Sequence, residues 1–113
     1  MSFDFSIQII HLYKDLIAHK EFVLSKQLLR STTSIGVNVE EAIAAQSRKD
    51  FIAKMSIASK EARETRYWLR MLDKSKLIET VQFSSYLTQV EHLVNILTKI
   101  VKTTQQTIIS TNK

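Results

Sequence analysis

Residues 51–72 read FIAKMSIASKEARETRYWLRML, and the spacing inside this stretch decides the fold. Phe51, Met55, Ala58, Ala62, Thr65, Leu69 and Leu72 recur at alternating steps of four and three, the period that lines one stripe of an α-helix. Three heptads of that spacing favour shallow-angle packing against neighbours, the geometry of a helix bundle. Ser47 stands three residues ahead of Asp50, a capping-box arrangement with Asp in place of the usual Glu. A helix is therefore predicted from about 48 to 73.

The same period extends outward on both sides. Upstream, Leu24, Leu28, Thr32, Ile35, Val39 and Ala42 predict a helix over 22–45, interrupted by no breaker except Gly36. A mid-helix Gly costs up to about 1 kcal/mol relative to Ala, so close approach of a neighbouring helix is the expected reason for it. Phe5, Ile9, Leu12 and Leu16, with Ile10, Tyr13 and Ile17 beside them, predict a first helix over 4–18. Downstream, DKSKLIET (73–80) breaks the pattern and reads as the longest connection, with Thr80 as the cap of a fourth helix. That helix carries Phe83, Leu87, Val90, Val94, Leu97 and Val101 and runs over 81–108, leaving a frayed tail at 109–113. A second stripe beside the first, Tyr86, Leu93, Ile96 and Ile100, means that the fourth helix is either unusually buried or partnered, and the first helix repeats this excess more weakly. The predicted fold class is all-α: one domain, 1–113, an antiparallel up-down-up-down four-helix bundle.

Composition agrees. The chain of 113 residues has no Cys, no Pro and one Gly, too few turn formers for a β-sandwich or barrel. Without Cys there are no disulfides, thiolate zinc sites or Cys nucleophile. No apolar run approaches the roughly 18 residues a membrane span requires, and the first residues carry Asp4 and no basic leader, so a soluble, unexported, cytoplasmic protein with no membrane association is expected.

Catalytic signals are lacking. His11, His19 and His92 show no HxxxH or HExxH spacing, and neither a Gly-rich phosphate loop nor a GxSxG motif occurs. No enzymatic activity, metal or cofactor is expected. Ser31, Ser34, Asn38, Glu41 and Ala45 form a small, polar stripe beside the apolar one on the second helix, the pattern of hydrogen bonds at a helix crossing. On the third, Glu61 and Glu64 share a line with Ile57, Trp68 and Met71. Paired carboxylates in a bundle can hold two metals, but that needs Glu-x-x-His, and no His follows either Glu in that helix. Pairing with Arg30, Lys54 or Lys60 is expected instead, with Asn38, Glu41, Glu61 and Glu64 at helix crossings rather than in an open cleft.

The remaining constellation is basic. The chain carries 16 Lys and Arg against 11 Asp and Glu, net +5, and residues 48–70 hold seven of the former against three of the latter. Lys49, Lys60, Arg63, Tyr67, Arg70 and Lys74 align on one face of the third helix, with Arg66 at its edge. A basic stripe with one Tyr is what a phosphate-tracking surface with a stacking ring looks like, and also what an ordinary solvated face looks like.

Gln27 to Leu72, QLLRSTTSIGVNVEEAIAAQSRKDFIAKMSIASKEARETRYWLRML, closely resembles the bacterial four helix bundle proteins related to those encoded by intervening sequences in 23S rRNA genes. The resemblance rests on Arg30, Ser31, Ser34, Ile35, Asn38, Glu41 and Ala42, then on Ser47, Asp50, Phe51, Lys54, Ile57, Ala58, Lys60, Glu61, Ala62, Glu64, Tyr67, Trp68 and Leu69. Thr32 and Ser59 depart from the pattern, standing where Gly and an apolar residue are common. The resemblance implies an up-down-up-down bundle assembled as a homopentameric ring. It also implies similarity to the accessory protein of diversity-generating retroelements, a pentameric barrel that binds RNA and a reverse transcriptase.

The expected function is that of a non-enzymatic, oligomeric nucleic-acid-binding, RNA-associated accessory protein. Lys49, Lys60, Arg63, Arg66, Arg70 and Lys74 would contact RNA or DNA phosphate, with Tyr67 available for stacking. The alternative is a protein-protein scaffold that binds no nucleic acid and docks a protein partner on apolar helix surface.

Overall fold

A computed structural model describes residues 2–111 of the chain. They form four α-helices, α1 (Ser2–Ala18), α2 (Val23–Ile43), α3 (Arg48–Ser75) and α4 (Ser84–Thr111), and no strand occurs among the described residues. Each helix starts and ends within three residues of its predicted bounds. The tail predicted for 109–113 is helical at 109–111, and 112–113 lie outside the described residues.

The stripes read from the sequence are the core. Phe5, Ile9, Leu12 and Leu16 of α1, Leu28, Ile35 and Ala42 of α2, Met55, Ala58, Ala62, Leu69 and Leu72 of α3, and Val90, Leu93, Val94 and Leu97 of α4 are all buried. Chain order is spatial order: α3 packs along α2 on one side and α4 on the other, and α1 lies along α2 and meets α4 only briefly. Gln89 Nε2 donates to Gln8 Oε1 at 2.8 Å across that looser seam. Helices α3 and α4, 28 residues each, extend about 42 Å and set the long axis of a molecule measuring 54 × 22 × 20 Å.

Ser47 caps α3 as expected: its Oγ accepts from the Asp50 N–H at 3.0 Å. The far end of α3 stops at Lys76, in the left-handed region at φ 56°. Beyond it the sequence reading needs correction. Thr80 does not cap α4, which begins only at Ser84; the Phe83 carbonyl accepts the first bond, from Leu87 N–H at 2.9 Å. The cause is tertiary, because Ile78 and Phe83 are buried against the end of the bundle and hold the link out of helix until both side chains are placed.

One further expectation changes, and one is decided between its two alternatives. Gly36 is not required by a close helix approach: a Cβ there would meet only Ser6 Oγ, at 4.0 Å, an ordinary contact. The apolar excess of α4 is largely absorbed within the chain, Leu93 being buried and Tyr86, Ile96 and Ile100 part-buried. Exposed apolar side chains lie on α1 and α2, at Phe3 (72% exposed), Ile7, Val37 (56%) and Ile43 (70%), and also on α3 and beyond it, at Ile57, Met71 and Leu77.

Candidate nucleic-acid interface

Helix α3 is the element that sorts charge in this molecule, because its two flanks face different neighbours. On the α2 flank, Arg30 reaches across to both carboxylates expected there, pairing with Glu61 at 3.2 Å and with Glu64. The Trp68 indole N–H donates to the same Glu64 Oε2 at 3.2 Å, and Gln27 Oε1 accepts from Arg30 Nε at 3.2 Å. Nearer the α3 N-terminus, Lys54 pairs with Glu41 at 2.9 Å, and that hydrogen-bonded carboxylate holds the ammonium above its usual range. Lys60, the third cation considered for Glu61 and Glu64, pairs with neither. Each of these three carboxylates therefore has a cationic partner across the crossing, Arg30 being shared by Glu61 and Glu64.

Beneath the ion pairs lies the crossing itself. Ser31 Oγ and Thr65 Oγ1, both fully buried, share a 2.8 Å hydrogen bond between α2 and α3. Thr32, one of the departures from the family pattern, is buried beside them and donates to the Leu28 carbonyl at 2.7 Å. Asn38 differs from expectation: its amide donates to the Ser34 carbonyl (2.8 Å) and Ser34 Oγ (3.2 Å) of its own helix and does not bridge to α3. Its amide stays near α2 because the carbonyl one turn back lies within reach on the same face.

On the α4 flank, Arg66 is tied to Glu91, its Nη1 lying 3.0 and 3.1 Å from the two carboxylate oxygens, so it serves the α3–α4 seam rather than standing free for phosphate. Arg63 donates to Thr98 Oγ1 at 2.8 Å and keeps its charge uncompensated. Between the flanks the outer face of α3 presents Lys49, Lys60, Arg63, Arg70 and Lys74, all exposed and none paired with a described carboxylate. From Lys49 to Lys74 this row spans about 37 Å of helix. Tyr67 sits in the row, 57% exposed, its ring held edge-on by Trp68 with centroids 5.2 Å apart. Fixed orientation lowers the entropy cost of stacking a base on it.

The sequence reading missed Glu91, Thr98, His92 and Asn95, which face α3 from α4. The signal available was their position beside the Val90–Val94–Leu97 stripe, the location of residues that border a neighbouring helix. Arg66, Arg70, Leu87, Thr88, Glu91, His92 and Asn95 line an open-sided groove of about 550 Å³ along this seam. A second groove, apolar and rimmed by Glu40 and Glu41, runs between α1 and α2 past Phe3, Gly36 and Val37. Among the described residues no cluster of His, Asp and Glu is arranged to hold a metal ion, and no helix is long and apolar enough to cross a membrane. All three histidines are exposed.

Comparison with known proteins agrees with the bundle family that the α2–α3 residues resemble. A family model described as 23S rRNA-intervening sequence protein matches residues 1–99. A crystal structure of a protein of unknown function from the S23 ribosomal protein family, from Bacteroides thetaiotaomicron VPI-5482, is 48% identical, covers 89% of this chain and 94% of its own, and superposes with a TM-score of 0.84. No curated protein matches the chain.

Proposed function

The chain belongs to the 23S rRNA-intervening sequence protein family, and from that premise we propose that it is a non-enzymatic, RNA-associated accessory protein acting in the cytoplasm as a homo-oligomer. The observation that carries this reading is the sorting of charge on α3. Arg30 on the α2 flank bridges Glu61 and Glu64, while five cations without a described carboxylate partner and Tyr67 are exposed on the outer face. Uncompensated cations in a row attract a row of phosphates, and each phosphate neutralised releases condensed counterions. Copies of the face arranged around an oligomer multiply the field and the avidity without any new contact. The resemblance implies five copies.

Filter binding of cellular RNA across a salt series tests the ligand. Five neutralised phosphates of a single strand give a log–log slope of about −3 to −4. Charge reversal at Arg63 and Arg70 abolishes retention and leaves assembly intact, since both side chains are exposed on the outer face. Unaltered retention by the double variant defeats the reading, and competition with DNA of matched sequence decides between the two nucleic acids.

The second reading, a scaffold for another protein, is favoured by one observation, the exposed apolar groove between α1 and α2. Docking there persists at high salt, where phosphate binding is lost. Light scattering on the eluted protein distinguishes self-association through this groove from a free apolar face.

A further inference from the structure

The groove between α3 and α4 is chemically unlike the outer row of cations. A stripe of lysines offers charge alone, and charge alone cannot distinguish one base from another. Here the lining changes character along a short distance. Leu87 supplies a half-buried apolar patch. The Arg66 Nη1 is held across the seam by both oxygens of Glu91, which keeps the guanidinium, a planar π-system, at the groove wall. One turn further along α3, Arg70 lines the same groove with no carboxylate partner among the described residues. On the facing wall, exposed His92 and Asn95 add a ring nitrogen pair and an amide that both donates and accepts. The Asn95 amide is open to a ligand, whereas Thr88 of the same wall is satisfied by the Ser84 carbonyl at 2.9 Å.

Together these groups match the parts of a nucleotide: an apolar patch and a fixed guanidinium plane for a base face, an amide and an imidazole for its hydrogen-bonding edge, and a free guanidinium for its phosphate. The volume, about 550 Å³, lies within the roughly 300–1,000 Å³ of small-ligand sites. Packed helices stand about 8–10 Å apart, so a double helix meets such a seam only with its phosphate ridge, while a splayed base of a single strand can enter it. We propose that the α3–α4 groove holds one unstacked nucleotide of single-stranded RNA and reads its base through Asn95 and His92, with Arg70 on the phosphate. This rests on the RNA reading of the outer face and adds base preference to it.

The test is fluorescence anisotropy with labelled oligo(A), oligo(U), oligo(C) and an RNA duplex, on the full chain and on three variants, at low salt. Wild-type protein separates its best from its worst single strand by roughly tenfold or more and binds duplex more weakly than its best strand. Asn95→Ala, at an exposed position, narrows the range among single strands to within about twofold while the salt slope stays unchanged. Lys49→Gln weakens every ligand alike and keeps the base preference, and Arg70→Gln lowers affinity for all strands and flattens the slope by about one phosphate. Equal binding of all strands and duplex by wild type, with the steep salt dependence kept, overturns the groove and leaves the basic outer face standing. Full base preference in Asn95→Ala overturns the groove as well. Absence of any RNA retention by wild type at low salt overturns both.

Discussion

At the α2–α3 crossing the stability of the bundle depends on a few hydroxyl groups. Thr65 Oγ1 donates to the Glu61 carbonyl at 2.9 Å and meets Ser31 Oγ at 2.8 Å with no access to water. Replacing Thr65 with Val keeps the shape and removes the cross-helix bond, and the Ser31 hydroxyl then turns its proton to the Leu28 carbonyl, 3.2 Å away. Thr65→Val therefore costs about 1 kcal/mol, and Ser31→Ala a similar amount. Because one bond is lost in either case, the double variant costs less than the sum of the two, which urea unfolding of all three proteins measures. Gly36 gives the opposite sign. With only Ser6 Oγ 4.0 Å from a Cβ placed there, Gly36→Ala gains helix propensity at no packing cost and raises stability by up to about 1 kcal/mol. A lowered midpoint for that variant would show that α1 sits closer to α2 than the structure places it.

Among the elements, α3 shows what local sequence can and cannot specify. Its N-terminus was legible because capping is local: Ser47 and the Asp50 N–H lie three residues apart, and Ser47→Ala costs about 1 kcal/mol of unfolding free energy, read by urea titration. Its core stripe was legible for the same reason, since burial follows the helical period. The pairing of Arg66 with Glu91 was not, because it depends on the register between α3 and α4, which no short window contains. Thr80 failed as a cap on similar grounds, the link being held by burial of Ile78 and Phe83 rather than by turn chemistry. The site followed the same division: the outer-face row was read as a periodicity on one helix, whereas His92 and Asn95 become relevant only when α4 is laid against α3. Helix α4 also carries a titration signal. Burial, and then the carboxylate of Asp15 on α1, hold the Tyr86 phenol above its ordinary value of 10.0. A folded-state value raised above the unfolded one gives stability that is complete below about pH 10 and is lost as pH rises through the folded value. Thermal midpoints measured upward from pH 9 therefore fall, and Tyr86→Phe falls less steeply than wild type; parallel curves would place the alkaline loss elsewhere.

Over the whole molecule, the outer row of cations and the apolar groove lie on different helices, and this separation governs how RNA binding and self-association coexist. The outer row of cations runs along α3, whereas the groove lined by Phe3 and Val37 lies between α1 and α2. Helices α1 and α3 are not packed along one another, so a second copy seated on the α1–α2 groove leaves the outer face of α3 open to a polyanion. Had the apolar excess of α4 been left for a partner, the second of the two alternatives its stripe offered, assembly would compete with the groove that α4 shares with α3. Self-association through α1 and α2 then predicts a clean dissection. Val37→Asp, at a position already 56% exposed, changes the unfolding free energy of the isolated chain by no more than about 0.5 kcal/mol, because little buried contact is lost. In an assembly built on this groove the same aspartate would meet a desolvated apolar partner beside Glu40 and Glu41, and the oligomer would dissociate. Light scattering reads the change in mass, and filter binding on the same sample reads its consequence. RNA retention weakens through lost avidity, while a single chain keeps its salt dependence. An oligomer of unchanged mass would move the subunit contact off this groove and onto another face.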